Sequence, residues 1–203
     1  MIGFYDYTVI LTYCGLISAV VGIFQAVEGH FISAIFCAGI SLLCDTFDGR
    51  VARAKKDRSE KAALFGIQID SLCDAISFGV FPAVLCYCLG LRDWLSLVLL
   101  GYYCLCSVIR LGYYNVLEMY KEAGSPSVYH GLPVPTFALL LPAAYMLRFW
   151  LPGSVFLWVL RGLILVIGTL YILNFTLKKL RLWQVGLVSA IFWIPLIVIL
   201  IMM

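Results

Sequence analysis

Long apolar runs broken by short polar links set the rhythm of this chain. Seven of them reach membrane-spanning length: about Tyr7–Val27, His30–Ala54, Glu60–Leu89, Trp94–Met119, Pro133–Trp150, Ser154–Leu177 and Leu182–Met203. Roughly 17–25 apolar residues suffice for a helix to cross a bilayer. The links contain residues that end helices, namely Glu28-Gly29, Gly90 to Asp93, Gly124-Ser125-Pro126 and Pro152-Gly153, with a basic run from Lys178 to Arg181 before the last span. The pattern predicts an all-α polytopic membrane helix bundle of about seven transmembrane helices, in a single domain covering residues 1–203. The third run would be roughly 45 Å long as one helix, against a hydrocarbon core of about 30 Å, so its first turns are expected to project into the cytoplasm.

Composition agrees with the pattern and narrows it. With 64% hydrophobic and 12% charged residues and a mean hydropathy of +1.03, the chain has too little polar surface to cover a water-soluble globule. The net charge of +3 is small and forms no basic stripe, so nucleic acid is excluded as a partner. The positive charge instead reports topology. Lys55, Lys56, Arg58 and Lys61, then Lys121, then Lys178, Lys179 and Arg181 fall in alternate links, while the opposite links carry only Arg92 and Arg148. The positive-inside rule puts the basic links and the amino terminus in the cytoplasm and the carboxyl terminus outside. Met1 to Tyr5 holds no Lys or Arg, so the first run is expected to be retained as a span. The eight cysteines lie within spans. Cys86/Cys88 and Cys104/Cys106 are about 200° apart around a helix, which makes them small packing residues and not chelating pairs. Trp94, Trp150 and Trp183 sit near span ends, as interfacial belt residues do.

Four carboxylates break the apolar pattern. Asp45, Asp48, Gly49 and Ala52 recur at i, i+3, i+4 and i+7, one helical stripe, and Gly66, Asp70 and Asp74 recur at i, i+4 and i+8 on the next helix. Two helices joined by a short link pack antiparallel, so the stripes can face each other. Acidic groups within a membrane segment are costly unless neutralised, and an all-oxygen set suits hard divalent cations such as Mg²⁺ or Mn²⁺. Two such ions would cancel four negative charges. Gly49 and Gly66 leave room for a bulky ligand to approach the helices, and Arg53, one turn beyond, can take a phosphate.

In order these positions read Asp45-x2-Asp48-Gly49-x2-Ala52-Arg53-x12-Gly66-x3-Asp70-x3-Asp74. The string closely resembles the signature of the CDP-alcohol phosphatidyltransferase family, membrane enzymes that move a phosphoalcohol from a CDP-linked donor to an acceptor hydroxyl. The spacer Ala54 to Phe65 is twelve residues, longer than the commoner family form, and its charged stretch reads as a lengthened cytoplasmic loop. The run Asp70-Ser71-Leu72-Cys73-Asp74-Ala75-Ile76-Ser77-Phe78-Gly79-Val80-Phe81-Pro82-Ala83, the pentapeptide Gly131-Leu132-Pro133-Val134-Pro135 and the stretch Arg110-Leu111-Gly112-Tyr113-Tyr114-Asn115 resemble the bacterial and archaeal phosphatidylserine synthase branch. Tyr113 stands where that branch commonly has a second basic residue.

The resemblance implies a six-helix family core plus a carboxyl-terminal span, in the plasma membrane of a prokaryote, with the active site facing the cytoplasm. It also implies a phosphatidyl transfer from CDP-diacylglycerol to the hydroxyl of L-serine, giving phosphatidylserine and CMP. Two divalent cations would be held by Asp45, Asp48, Asp70 and Asp74, with Asp74 doubling as the base. Asp48, Gly49, Ala52, Arg53, Gly66 and Asp70 would bind the CDP moiety, and Arg110, a cation inside a span, would meet the serine carboxylate. Resembling proteins include dimers, so a homodimer is an expectation carried by the resemblance alone. A glycerol-phosphate or inositol-phosphate acceptor is the first alternative, though it calls for more internal cations than Arg110, Arg148 and Arg161. An intramembrane prenyltransferase and a cation transporter are the more distant ones. Arg161 has no motif around it and reads as structural or snorkelling, and His30 and His130 as solvated link residues.

Overall fold

The computed structural model describes residues 3, 7–55, 59–120, 129–177 and 192–198. A short 3-10 turn, Tyr7–Val9, leads into α1 (Ile10–Val27), followed by α2 (Phe31–Ala54) and α3 (Glu60–Asp74). The chain continues from α3 through a π-helical stretch, Ala75–Val80, into α4 (Phe81–Cys88). Then come α5 (Trp94–Met119), α6 (Thr136–Met146) with a 3-10 turn Leu147–Phe149, and α7 (Gly153–Ile172). A two-residue antiparallel pair joins β1 (Tyr129–His130) to β2 (Thr176–Leu177).

Among the described residues, five helical segments are long and apolar enough to cross a membrane: Tyr7–Val27, Phe31–Ala52, Glu60–Cys88, Trp94–Met119 and Gly153–Ile172. The expected Pro133–Trp150 span is shorter, with helix over Thr136–Phe149. Pro133 and Pro135 withhold backbone donors ahead of it and postpone helix entry. The expected span ending at Leu177 closes at Ile172, because the following residues leave the helix and pair with β1. Of the Leu182–Met203 run, residues 192–198 are helical and the rest lies outside the described residues, as do Trp183 and the basic Lys56, Arg58, Lys121, Lys178, Lys179 and Arg181. Large apolar side chains such as Ile17, Phe24, Leu105 and Val166 face outward, the arrangement of a bundle whose surrounding solvent is hydrocarbon.

Side-chain hydrogen bonds fix how α1 lies along α2. Ser18 Oγ donates to the Cys37 carbonyl at 2.9 Å, and one turn nearer the amino terminus Ser41 Oγ donates to the Gly15 carbonyl at 3.0 Å. Such bonds between membrane helices contribute about 0.6–2 kcal/mol each and set register, since the apolar effect does not drive helices together in lipid.

The third span is one helical segment as expected, but it is not regular. Pro82 has no N–H to give the Phe78 carbonyl four residues back. The ladder widens locally, with the Phe81 amide donating to the Ile76 carbonyl. The freed Phe78 carbonyl is taken by the Tyr103 hydroxyl of α5 at 2.6 Å. Gly79, in the same stretch, is pressed against α5 so closely that a Cβ there would lie 2.5 Å from Ser107 Oγ. Tyr103 is fully buried and packs on Phe137 (5.2 Å between ring centroids) and Tyr171 (5.6 Å). The Tyr171 hydroxyl, 3.3 Å from that of Tyr103, donates to the Val134 carbonyl at 2.6 Å. The irregular turn after Asp74 is thereby tied to α5, to α7 and to the link before α6.

At the far end, Asp93 caps α5. Its carboxylate accepts from the Ser96 amide at 3.3 Å, from Ser96 Oγ at 2.6 Å and from Arg161 Nη2 at 2.6 Å, while Arg161 Nε donates to Ser96 Oγ at 2.9 Å. Arg161, which also stacks 4.6 Å over Trp158, is therefore structural, pinning the middle of α7 to the start of α5.

Two outcomes are expected. Tyr103→Phe strands the Phe78 carbonyl and lowers stability by about 1–2 kcal/mol, read as a drop in Tm in detergent. The Ser96 hydroxyl and then Arg161 hold the Asp93 carboxyl at about 2, below its usual value of about 3.9. A depressed folded value means the contribution is complete above about pH 4 and lost as pH falls towards 2. Between those values the wild-type Tm should fall further than that of Asp93→Asn.

Candidate active site

The site is built where α1, α2 and α3 meet. The Ser59 hydroxyl caps the start of α3 by accepting from the Ala62 amide at 3.3 Å, and Glu60 occupies the first turn, a combination that suits the positive end of a helix dipole. With the start of α3 set this way, Asp70 and Asp74 fall one turn apart on the face turned to α2. Asp45, Asp70 and Asp74 each offer a carboxylate oxygen, and those oxygens all lie within 4.8 Å of one another. Asp48 stands beside this trio, buried at 6% exposure and within hydrogen-bonding reach of Asp70. Its Oδ2 accepts from Thr12 Oγ1 of α1 at 2.8 Å. A narrow cleft of about 10 Å³ opens at this point, lined among others by Thr12, Ser41, Asp45, Asp48, Asp74 and Ser77.

The donor set fits a hard divalent cation. Carboxylate oxygens gathered from two helices, joined among the described residues by no imidazole or thiolate, match Mg²⁺ or Mn²⁺ chemistry. Asp70 and Asp74 are held from behind as well. Ser71 Oγ donates to Asn115 Oδ1 of α5 at 2.6 Å, and Asn115 Nδ2 donates to Gln68 Oε1 at 3.4 Å, so α5 grips the flank of α3 turned away from the acids.

The remaining motif positions divide. Gly49, Ala52 and Gly66 are partly buried on α2 and α3, on the turns adjoining the aspartates. Arg53 is on the last turn of α2, and its side chain lies outside the described residues. Arg110 lies elsewhere. It is buried at 6% exposure, its Nη1 donates to the Tyr171 carbonyl at the end of α7 at 3.5 Å, and its guanidinium sits 4.6 Å over the Tyr114 ring. It lines a second cavity of about 240 Å³ with Tyr113, Tyr114, Tyr171 and Asn174, and is not among the residues lining the aspartate cleft. Gly131 presses on it from the link before α6, at φ +69°, and a Cβ there would sit 2.8 Å from Arg110 Nη1 and 2.9 Å from the Leu173 carbonyl. Only glycine meets both demands.

The family model described as CDP-alcohol phosphatidyltransferase matches residues 8–173. The chain belongs to that family. Among curated CDP-alcohol phosphatidyltransferase relatives, it is 34% identical over 125 residues to a CDP-diacylglycerol–serine O-phosphatidyltransferase of Saccharomyces cerevisiae, covering 59% of this chain and 44% of that protein. It is 34% identical over 134 residues to an archaetidylserine synthase of Methanothermobacter thermautotrophicus, covering 66% and 54%. A CDP-diacylglycerol–serine O-phosphatidyltransferase of Methanocaldococcus jannaschii is 36% identical over 102 residues, covering 50% and 45%. The chain spans about half the length of these relatives. The matched region begins within the 3-10 turn before α1 and so takes in Thr12 as well as the acidic motif.

Thr12, Asn115, Tyr103 and Tyr171 support the site without belonging to its motif. A threonine in an apolar run and tyrosines in a bundle carry no spacing signal of their own. Their partners sit 36, 44, 25 and 37 residues away along the chain.

Proposed function

We propose that this protein transfers a phosphatidyl group from CDP-diacylglycerol to the hydroxyl of L-serine, releasing CMP, at a site open to the cytoplasmic leaflet. The reading is carried by one observation: the three acids Asp45, Asp70 and Asp74 converge within 4.8 Å in a chain of the CDP-alcohol phosphatidyltransferase family. Serine as acceptor is supported by the relatives that are CDP-diacylglycerol–serine O-phosphatidyltransferases, and the archaetidylserine synthase among them keeps an ether-lipid donor within the same chemistry. Lys55 follows the α2 end nearest Asp45 and Asp48, and Lys61 sits in the first turn of α3 across the same short link, which supports a cytoplasmic opening.

Asp45, Asp48, Asp70 and Asp74 would hold two divalent cations, Mg²⁺ or Mn²⁺. When bound, they supply Lewis-acid polarisation of the phosphoryl oxygens and offset charge gathering on the departing CMP. Gly49, Ala52 and Gly66 keep the helix surfaces low beside the acids, so that the CDP moiety can lie against them, and Arg53 pairs with its phosphate. Asp74 takes the proton from the serine hydroxyl as that oxygen attacks the phosphorus bearing diacylglycerol. The phosphorus–oxygen bond to CMP breaks, and CMP leaves with the electron pair. The acyl chains lie among outward apolar side chains. Arg110 meets the serine carboxylate from the second cavity. A guanidinium fork matches the geometry of a carboxylate.

Purified protein given CDP-diacylglycerol, Mg²⁺ or Mn²⁺ and a panel of serine, glycerol 3-phosphate and inositol phosphate should release CMP with serine alone. Release driven by another acceptor would redirect the reading, and ion flux in sealed vesicles without CMP release would end it. Asp74→Asn should cut kcat by about 10²–10⁴-fold while CDP-diacylglycerol still binds; retained turnover removes Asp74 as the base. Arg110→Ala should raise the KM for serine about 10- to 100-fold, the loss of a charge-assisted contact. The KM for the CDP-linked donor should stay close to wild type, and an equal loss towards both substrates would contradict the carboxylate assignment.

A further inference from the structure

Asp48 is engaged from outside the acidic motif. Thr12 Oγ1 donates to its Oδ2 at 2.8 Å, and both side chains are buried, at 8% and 6% exposure. The bond continues the line of side-chain rungs along the α1–α2 interface formed by Ser18 to the Cys37 carbonyl and Ser41 to the Gly15 carbonyl. The other two rungs end on backbone and can only hold helices together; this one ends on a carboxylate of the motif. Threonine is stiff at χ1, and a helical threonine hydroxyl commonly bonds back to its own preceding turn. Here it crosses to α2 instead. A carboxylate with one oxygen held by a donor cannot swing freely, and its remaining lone pairs face a fixed direction.

We propose that Thr12 is a positioning residue of the metal centre: its hydroxyl fixes the Asp48 carboxylate so that Asp48 completes the donor set of Asp45, Asp70 and Asp74 when a divalent cation binds. This rests on the metal reading above. Thr12 touches neither substrate nor reacting atoms in this scheme. Its effect is on metal affinity, where losing a partner that orients a ligand typically weakens binding about 10- to 100-fold.

The test measures Mn²⁺ binding to purified, substrate-free protein by the electron paramagnetic resonance signal of free Mn²⁺, with Tm checked for each variant. Thr12→Val, which keeps the shape and removes the hydroxyl, should bind Mn²⁺ about 10- to 100-fold more weakly, and Thr12→Ser should restore wild-type affinity. Thr12→Ala replaces the valine variant if that one does not fold. Ser18→Ala loses a rung remote from the acids and should bind Mn²⁺ as wild type does. Wild-type affinity in the hydroxyl-free variants overturns the proposal, as does an equal loss in Ser18→Ala, which would reduce Thr12 to interface packing. Absence of Mn²⁺ binding by the wild type would overturn the metal reading and this one together.

Discussion

Like charges at close quarters, inside a pair of helices that hydrocarbon surrounds, constrain everything else in this protein. Three carboxylate oxygens share a space 4.8 Å across, with a fourth acid beside them. Such a cluster repels itself and resists burial, and is tolerable when a polyvalent cation and fixed donors offset it. The rest of the bundle reads as the means of holding α2 and α3 face to face despite that repulsion. α1 grips α2 through hydroxyl rungs, one of them on Asp48 itself. α5 grips α3 through the Ser71–Asn115–Gln68 bonds. Neither grip relies on apolar burial, which has little force between helices in lipid.

Just beyond the acids, the π-helical stretch gives the third span an irregular turn with a local cause. Pro82 removes one donor, and a buried tyrosine from another helix supplies its replacement. Departures of this kind from α-geometry occur often at functional sites. Here the irregular turn lies directly after Asp74; its Phe78 carbonyl accepts from the Tyr103 hydroxyl, which lies 3.3 Å from the Tyr171 hydroxyl, and Tyr171 donates to the Val134 carbonyl. Tyr171 also gives its carbonyl to Arg110. The acidic helix and the buried arginine are thus joined through the packed Tyr103–Tyr171 pair, though they line different cavities.

The buried arginine and Gly131 explain each other. Gly131 takes a left-handed backbone against the guanidinium, its amide donates to the Phe175 carbonyl at 2.6 Å, and the chain beyond α7 is drawn into the β1–β2 pair. Arg110 therefore stands at the carboxyl end of a helix, where a cation offsets the dipole, with a cavity at its side.

The spans, the membrane setting and the pairing of acids on two helix faces were legible in the sequence, because hydropathy runs and the 3.6-residue period are local properties that neighbouring residues fix between themselves. Asp45, Asp70 and Asp74 met as their spacing required. The short α6, the early end of α7, the offset that brings Arg161 to Asp93, the seat of Arg110 apart from the acidic cleft and the hold of Thr12 on Asp48 were decided only by the tertiary structure. Each depends on the register of one helix against another, and that register follows from close packing and from hydrogen bonds between residues far apart in the chain, which no spacing along a single helix records.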